Sequence, residues 1–419
     1  MSIFEEVESE VRSYCRSFPV VFDTAEGSHL YTKDGKDYLD FFDGAGALNY
    51  GHNNPYLMDR AVEYIRRKGI THALDMSTTA KEAFLETFRS EILAPRGMDH
   101  KVMFCGSTGT NAVEAALKLA RKATGRDTVF AFSGAFHGMS LGSLAVTSGN
   151  DSRRSLKGSL NSVVFMPFPY GFNKTFDTIA YIKNVLDDDH SGVDKPAAII
   201  LETVQAEGGV IVAEAEWLLA LRALCDEYGI LLICDEIQVG CGRTGTFFSF
   251  ERAGIIPDMI TLSKSISGAG FPMSLLLMHP SLDVFTPGEH NGTFRGNQLA
   301  FITGKAALEF AKNTNLFAEV KRKEEIVRTF LENEILPLDP RLSIRGIGLI
   351  WGIEFREIDI RLSKTAQVRC FENNLVIERA GREDSVLKLM PALTIPDADL
   401  KRGLEIVKEA TIFALHSAG

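Results

Sequence analysis

The stretch Ile230-Leu231-Leu232-Ile233-Cys234-Asp235-Glu236-Ile237-Gln238 constrains this chain more than any other. Its unbroken apolar run fits a strand buried on both faces of a parallel sheet, and the two carboxylates that end it stand where open α/β sheets place ligands. A charge there needs a reason, either a cationic partner or work as a cap or ion-pair member. A second apolar run, Met259-Ile260-Thr261-Leu262-Ser263-Lys264, ends in a lysine. Such a lysine acts as a nucleophile where its surroundings favour the neutral amine, and is otherwise simply solvated.

The protonated ring nitrogen of pyridoxal phosphate is a partner that gives Asp235 chemical sense, and Lys264 is then the amine that links to the cofactor's aldehyde. Other segments supply what a phosphate-bearing cofactor needs. Val102-Met103-Phe104-Cys105 reads as a strand, Gly106-Ser107-Thr108-Gly109-Thr110-Asn111 as a small polar loop, and Ala112 to Arg121 as a long helix. A helix start of this kind offers unpaired N–H groups and hydroxyls to a phosphate dianion. No Gly-Lys-Ser or Gly-Lys-Thr follows, which counts against a nucleotide P-loop. Thr128 to Phe132 is another strand, leading to Gly134-Ala135-Phe136-His137-Gly138-Met139, where an aromatic could stack on a flat ring or merely pack. Pro196 to Leu201 makes a further strand, with Glu202-Thr203-Val204-Gln205-Ala206-Glu207-Gly208-Gly209 at its carboxyl end, and Glu216 to Tyr228 makes a helix. Strand and helix in repeated succession predict an α/β fold on a mostly parallel sheet.

The ends of the chain read differently. Leu30 to Phe41 predicts a hairpin about Asp34-Gly35, and Asp43 to His52 is a small-residue, Gly-rich loop. From Asn315 the pattern changes to a charged helix, short strands around Ile344 to Phe355, and a last helix near Pro396. This is a smaller α+β unit.

The 419 residues carry a net charge of −10 with no strong basic stripe, which argues against nucleic acid. The six cysteines are scattered without a CxxC pair or a metal-like cluster, so neither a metal nor structural disulfides are expected. The acidic start, Met1-Ser2-Ile3-Phe4-Glu5-Glu6, lacks the features of a signal peptide, and no apolar run approaches the ~20 residues of a membrane span. A cytoplasmic protein is expected.

Taken in order, these motifs resemble the class III, fold-type I aminotransferases over essentially the whole chain. The sequence of a Gly-Thr turn, Phe-His-Gly, Glu-Thr-Val-Gln-Ala-Glu-Gly-Gly, Cys-Asp-Glu-Ile-Gln, Ser-Lys and Gly-Thr-Phe-Arg-Gly-Asn is more specific than any one of its parts. The resemblance implies a large cofactor-binding domain over 54–314 and a small domain built from both ends, 1–53 and 315–419. It implies that Lys264 carries pyridoxal 5′-phosphate and moves the substrate proton, and that Asp235 meets the ring nitrogen. Gln238 would bond the ring's 3-oxygen and Phe136 would stack on the ring. Thr108, Gly109 and Thr110 would hold the phosphate, with Thr293 of the partner subunit completing it, so a homodimer or larger homo-oligomer with shared sites is expected.

Within the family, the Gly106 to Glu114 turn and the Phe42 to Tyr50 stretch look most like members that pass glutamate's amino group to aspartate 4-semialdehyde, giving L-2,4-diaminobutyrate and 2-oxoglutarate for ectoine synthesis. Glu207 and Lys388 would then form a charge switch for the α-carboxylate of glutamate, although relatives acting on ornithine have Arg at the latter place and this chain has Met139 where an Arg often follows Phe-His-Gly. The pair could equally be a structural ion pair. The alternatives are another class III activity on ornithine, 4-aminobutyrate or a polyamine, and a fold that senses ligands without catalysis. His52 and His137 are expected to pack or position loops; Arg243 and Arg295, in loops flanking the site, could bind carboxylates, with solvated arginines as the default.

Overall fold

The apolar runs become one sheet. In a computed structural model describing residues 2–417 except 155, 157 and 159, its strands are β1 Lys101–Phe104, β2 Val129–Phe132, β3 Val163–Met166, β4 Ala198–Leu201, β5 Leu231–Asp235, β6 Met259–Leu262 and β7 Leu275–Met278. They lie in the order β1-β7-β6-β5-β4-β2-β3. Pairing is parallel from β3 through β2, β4 and β5 to β6. β7 runs antiparallel between β6 and β1. The succession of strands and helices does not announce that exception: a single short 3-10 helix, Lys264–Ser267, stands between β6 and β7, and a strand that returns without a helical crossover runs antiparallel.

Alternation along the strands sorts the side chains onto two faces. Phe130, Phe132, Leu232 and Cys234 join one apolar cluster, together with Phe84 and Phe88 of helix Thr79–Phe88. Val129, Ala131 and Ile233 join another, with Ala112, Val113 and Ala116 of helix Gly109–Thr124. Asp235 therefore shares Ile233's face, under the helix whose start was read as a phosphate cradle. Glu236 faces the other way.

The chain ends meet beside this sheet. The predicted hairpin forms from His29–Thr32 and Asp37–Asp40, with Phe22–Glu26 added outside. Asp37–Asp40 also pairs in parallel with Leu375–Val376, so a strand from the start of the chain and one from near its end share a sheet. An antiparallel sheet of Ser343–Ile347, Ile350–Glu354, Val386–Leu389 and Glu378–Ala380 adjoins the helices Leu362–Glu372 and Asp397–His416. Residues 1, 418 and 419, which fall in the expected small domain, lie outside the described residues. Among the described residues no helix is long and apolar enough to cross a membrane.

Candidate active site

The carboxyl ends of β2, β4, β5 and β6 and the start of helix Gly109–Thr124 enclose a cavity of about 140 Å³. Gly109, Thr110, Phe136, Asp235, Gln238 and Lys264 all line it. Six residues from four separate motifs thus share one pocket.

Asp235 is nearly inaccessible, and its carboxylate is held by several donors. Oδ1 accepts the Ile237 N–H and the Thr261 hydroxyl, each at 3.1 Å. Oδ2 lies 2.7 Å from Nδ1 of His137, whose side chain is fully buried. Burial opposes a charge on His137, but the bond and charge of Asp235, helped by Glu202, leave its pKa above the usual value. The sequence reading expected His137 to pack or position a loop; the structure instead sets it against the Asp235 carboxylate. Glu202 shares the cavity wall and accepts the Phe136 N–H at 2.8 Å. Burial lifts its pKa to about 8, against the pull of His137. Glu236, the second carboxylate of the strand end, instead accepts the N–H of Ser249 at 2.8 Å on the opposite face. Sequence proximity to Asp235 had placed both at the ligand end, and the two-residue period separates them.

Lys264 follows β6 after the single residue Ser263, at a left-handed φ of 52°, a conformation that costs a non-glycine residue about 1–2 kcal/mol. Its Nζ donates to the Ala45 carbonyl at 2.7 Å. Burial, assisted by the charge of Lys388, pulls its pKa below the usual lysine value, although Glu207, Glu378 and Asp235 oppose the shift. That favours the amine as a nucleophile and base.

At the opposite side, Thr108 caps helix Gly109–Thr124, its hydroxyl 3.0 Å from Asn111 Oδ1. A Cβ on Gly109 would come within 2.9 Å of the end of the Ile237 side chain, which would have to shift to admit it. The Thr110 hydroxyl is engaged with Ser140 at 2.6 Å and Ser143 at 2.7 Å, and its N–H, in the first turn of the helix, has no acceptor within that helix. Thr293 is exposed in a loop and does not line this cavity.

Glu207 and Lys388 do meet. Nζ of Lys388 is 2.6 Å from Glu207 Oε1, and the lysine side chain is fully buried. The same oxygen accepts from Gln238 Nε2 at 2.9 Å, and Gln238 also donates to the Ala45 carbonyl at 3.1 Å. Two residues here escaped the sequence reading. Glu378 lies 2.9 Å from Lys388 and accepts the Tyr14 hydroxyl at 3.1 Å. The signal for Glu378 was a carboxylate directly after the apolar Leu375-Val376-Ile377, the pattern that drew attention to Asp235. Arg243 is not solvated as expected: it is wholly buried, pairs with Asp43 and bonds Asn49 Oδ1 at 2.6 Å and the carbonyls of Leu349 and Pro391. Arg295 donates to the Phe104 carbonyl at 2.9 Å, and His52 pairs with Asp40 at 2.8 Å.

A lysine with a depressed pKa, a donor-clamped carboxylate and a helix start opened by Gly109 around one cavity fit a flat, phosphate-bearing aldehyde with a basic ring nitrogen. Comparisons with known proteins agree. The family described as aminotransferase class-III matches residues 12–411. A diaminobutyrate–2-oxoglutarate transaminase of Streptomyces coelicolor is 54% identical over 414 residues, 98% of this chain and 97% of the relative. One of Bordetella parapertussis is 52% identical over 418 residues, covering 99% and 96%. Among solved structures, a transaminase from the marine bacterium Virgibacillus superposes with a TM-score of 0.87 at 20% identity, covering 100% of this chain and 99% of the other. The ornithine aminotransferase of Toxoplasma gondii ME49 gives 0.86 at 24%, covering 99% and 94%. These two speak for the fold.

Proposed function

This chain belongs to the class III aminotransferases, and we propose that it moves the amino group of L-glutamate to L-aspartate 4-semialdehyde, yielding L-2,4-diaminobutyrate and 2-oxoglutarate. The observation that carries the substrate reading is the buried Lys388, covered by Glu207 next to Gln238 and Lys264. One pocket must accept an α-amino acid in one half of the reaction and an ω-aldehyde in the other. A cation that a neighbouring carboxylate covers or releases serves both.

The cofactor is pyridoxal 5′-phosphate, which when bound supplies an electron sink for the substrate's reacting carbon. Asp235, kept in place by His137 and Thr261, would hold the proton at the ring nitrogen. The N–H groups of Gly109 and Thr110, with Thr108 and the partner subunit's Thr293, would bind the phosphate. Phe136 would lie on the ring and Gln238 would donate to its 3-oxygen. Lys264 would carry the cofactor and then, as the free amine its surroundings favour, take and return the proton at the substrate carbon.

A homodimer is the unit this reading requires. Met139, next to the cavity-lining Gly138, and Phe294, next to Thr293, are both more than half exposed, which leaves apolar side chains beside both segments for a partner subunit to cover. In the cell the product would serve ectoine synthesis, an osmoprotective route, in the cytoplasm.

The test is a panel of amino donors and carbonyl acceptors on purified holoenzyme, followed by the absorbance change of each half-reaction. Glutamate and diaminobutyrate should each convert the cofactor, with aspartate 4-semialdehyde and 2-oxoglutarate reversing the change. Preferential conversion by ornithine, 4-aminobutyrate or a polyamine would replace this substrate assignment, and no conversion by any donor would favour a sensor.

A further inference from the structure

Lys388 has two carboxylate partners, and they are held very differently. Glu378 is its cross-strand neighbour: Glu378–Ala380 and Val386–Leu389 pair antiparallel with Glu378 opposite Lys388. Oε1 of Glu378 accepts the Tyr14 hydroxyl at 3.1 Å, and Tyr14 packs against Phe42 with ring centroids 5.0 Å apart. Oε2 stands 2.9 Å from Nζ of Lys388 but has no partner in hydrogen-bonding geometry, in a residue only 7% exposed. Glu207, by contrast, sits in the turn between Val204–Gln205 and Ile211–Val212, followed by Gly208 and Gly209. Its side chain is 27% exposed. One partner is fixed opposite Lys388 by strand register. The backbone under Glu207 is also held, its carbonyl accepting the Gly381 N–H at 2.9 Å and those of Gly208 and Gly209 accepting from Arg382 and Arg345, so what can leave Lys388 is the half-buried Glu207 side chain, by rotation about its own bonds.

The lysine itself explains why a fixed partner is needed. An arginine's planar fork holds its direction through paired bonds, whereas an ammonium on a four-carbon stem is a point charge free to follow its counter-ion. Were Glu207 the sole partner, Lys388 would follow it or be left buried and unpaired, which is strongly unfavourable.

We propose that Glu378 is a positioning residue that holds the Lys388 ammonium in place while Glu207 leaves and the α-carboxylate of glutamate takes its position. This rests on the reading of Glu207 and Lys388 given above. It makes Glu378 matter for the acidic substrate and not for the ω-amine, during whose turnover Glu207 stays on Lys388.

The experiment measures each half-reaction separately on full-length holoenzyme. Glu378→Ala should raise the apparent KM for glutamate roughly ten-fold, equivalent to about 1.4 kcal/mol, with the KM for diaminobutyrate, or whichever ω-amine the donor panel selects, changed less than about two-fold. If Glu378→Ala does not fold, Glu378→Gln, which keeps an acceptor and removes the charge, gives the same comparison. Equal increases for both substrates would mean a purely structural role, and no change for glutamate would mean no role at all; either overturns the proposal. Lys388→Ala separates the two levels. If that variant leaves the glutamate KM unchanged, the charge switch itself fails, whereas a Lys388 effect without a Glu378 effect removes Glu378 alone.

Discussion

Removal of Arg243 should damage both the fold and the candidate site, and the structure sets the size of the effect. The guanidinium is wholly buried between Asp43, Asn49 and the carbonyls of Leu349 and Pro391. Arg243→Met keeps much of the volume and deletes the charge. Breaking a buried ion pair from one side costs about 3–5 kcal/mol, and carbonyls left without donors add to it. Asp43 softens the loss. Burial already raises its pKa to about 7 against the pull of Arg243, so without the guanidinium it takes up a proton instead of remaining a bare charge. We expect about 4 kcal/mol. With an unfolding entropy of about 2.1 cal/mol/K per residue over a chain of this length, the melting temperature should drop by roughly 4–5 °C. The segment from Asp43 to Asn49 also includes Ala45, whose carbonyl receives Lys264 at 2.7 Å and Gln238 at 3.1 Å, so cofactor retention should weaken in parallel. Differential scanning calorimetry and cofactor absorbance after dialysis measure the two effects. The double variant Asp43→Asn with Arg243→Met should recover part of the loss, because both charges are then gone. A melting point within about 1 °C of the parent, or a double variant less stable than the single, would refute the reasoning.

Two further outcomes follow from the buried titratable groups. His137→Ala removes a 2.7 Å partner from Asp235, and a hydrogen bond to a charged group is worth about 1.5–3 kcal/mol, so cofactor dissociation should become roughly 10- to 100-fold easier; unchanged cofactor content at limiting cofactor would count against His137 as the residue that positions Asp235. The pH dependence of stability has a defined sign. Asp43 and Glu236, each raised to about 7, and Glu202, raised to about 8, all mainly by burial, have folded-state values above their unfolded ones. Their contribution is fully present below the unfolded carboxyl range and is lost as pH rises through about 7 to 8. The melting temperature should therefore fall as pH rises from the unfolded carboxyl range at about 4 up to about 7 to 8 and level off above it, and Glu236→Gln should reduce the slope; an equally steep slope in that variant would exclude Glu236 as a source.

The sequence alone determined which strands are buried and what ends them, because apolar runs and turn residues are local signals. The runs before Asp235 and Lys264, the helix start at Gly109 and the hairpin about Asp34-Gly35 could all be read from neighbours in the chain. Even the meeting of Glu207 with Lys388, far apart in sequence, was expected, though only through the resemblance. Tertiary structure decided the rest, for physical reasons particular to each case. The antiparallel β7 depends on how a short connection returns. The divergence of Asp235 and Glu236 depends on the pleat. The burial of Arg243 depends on Asp43 and Asn49, about two hundred residues earlier in the chain, closing over it. Glu378 became visible as a partner of Lys388 only through strand register, since a cross-strand neighbour is set by pairing and leaves no mark on either residue's own surroundings in the sequence.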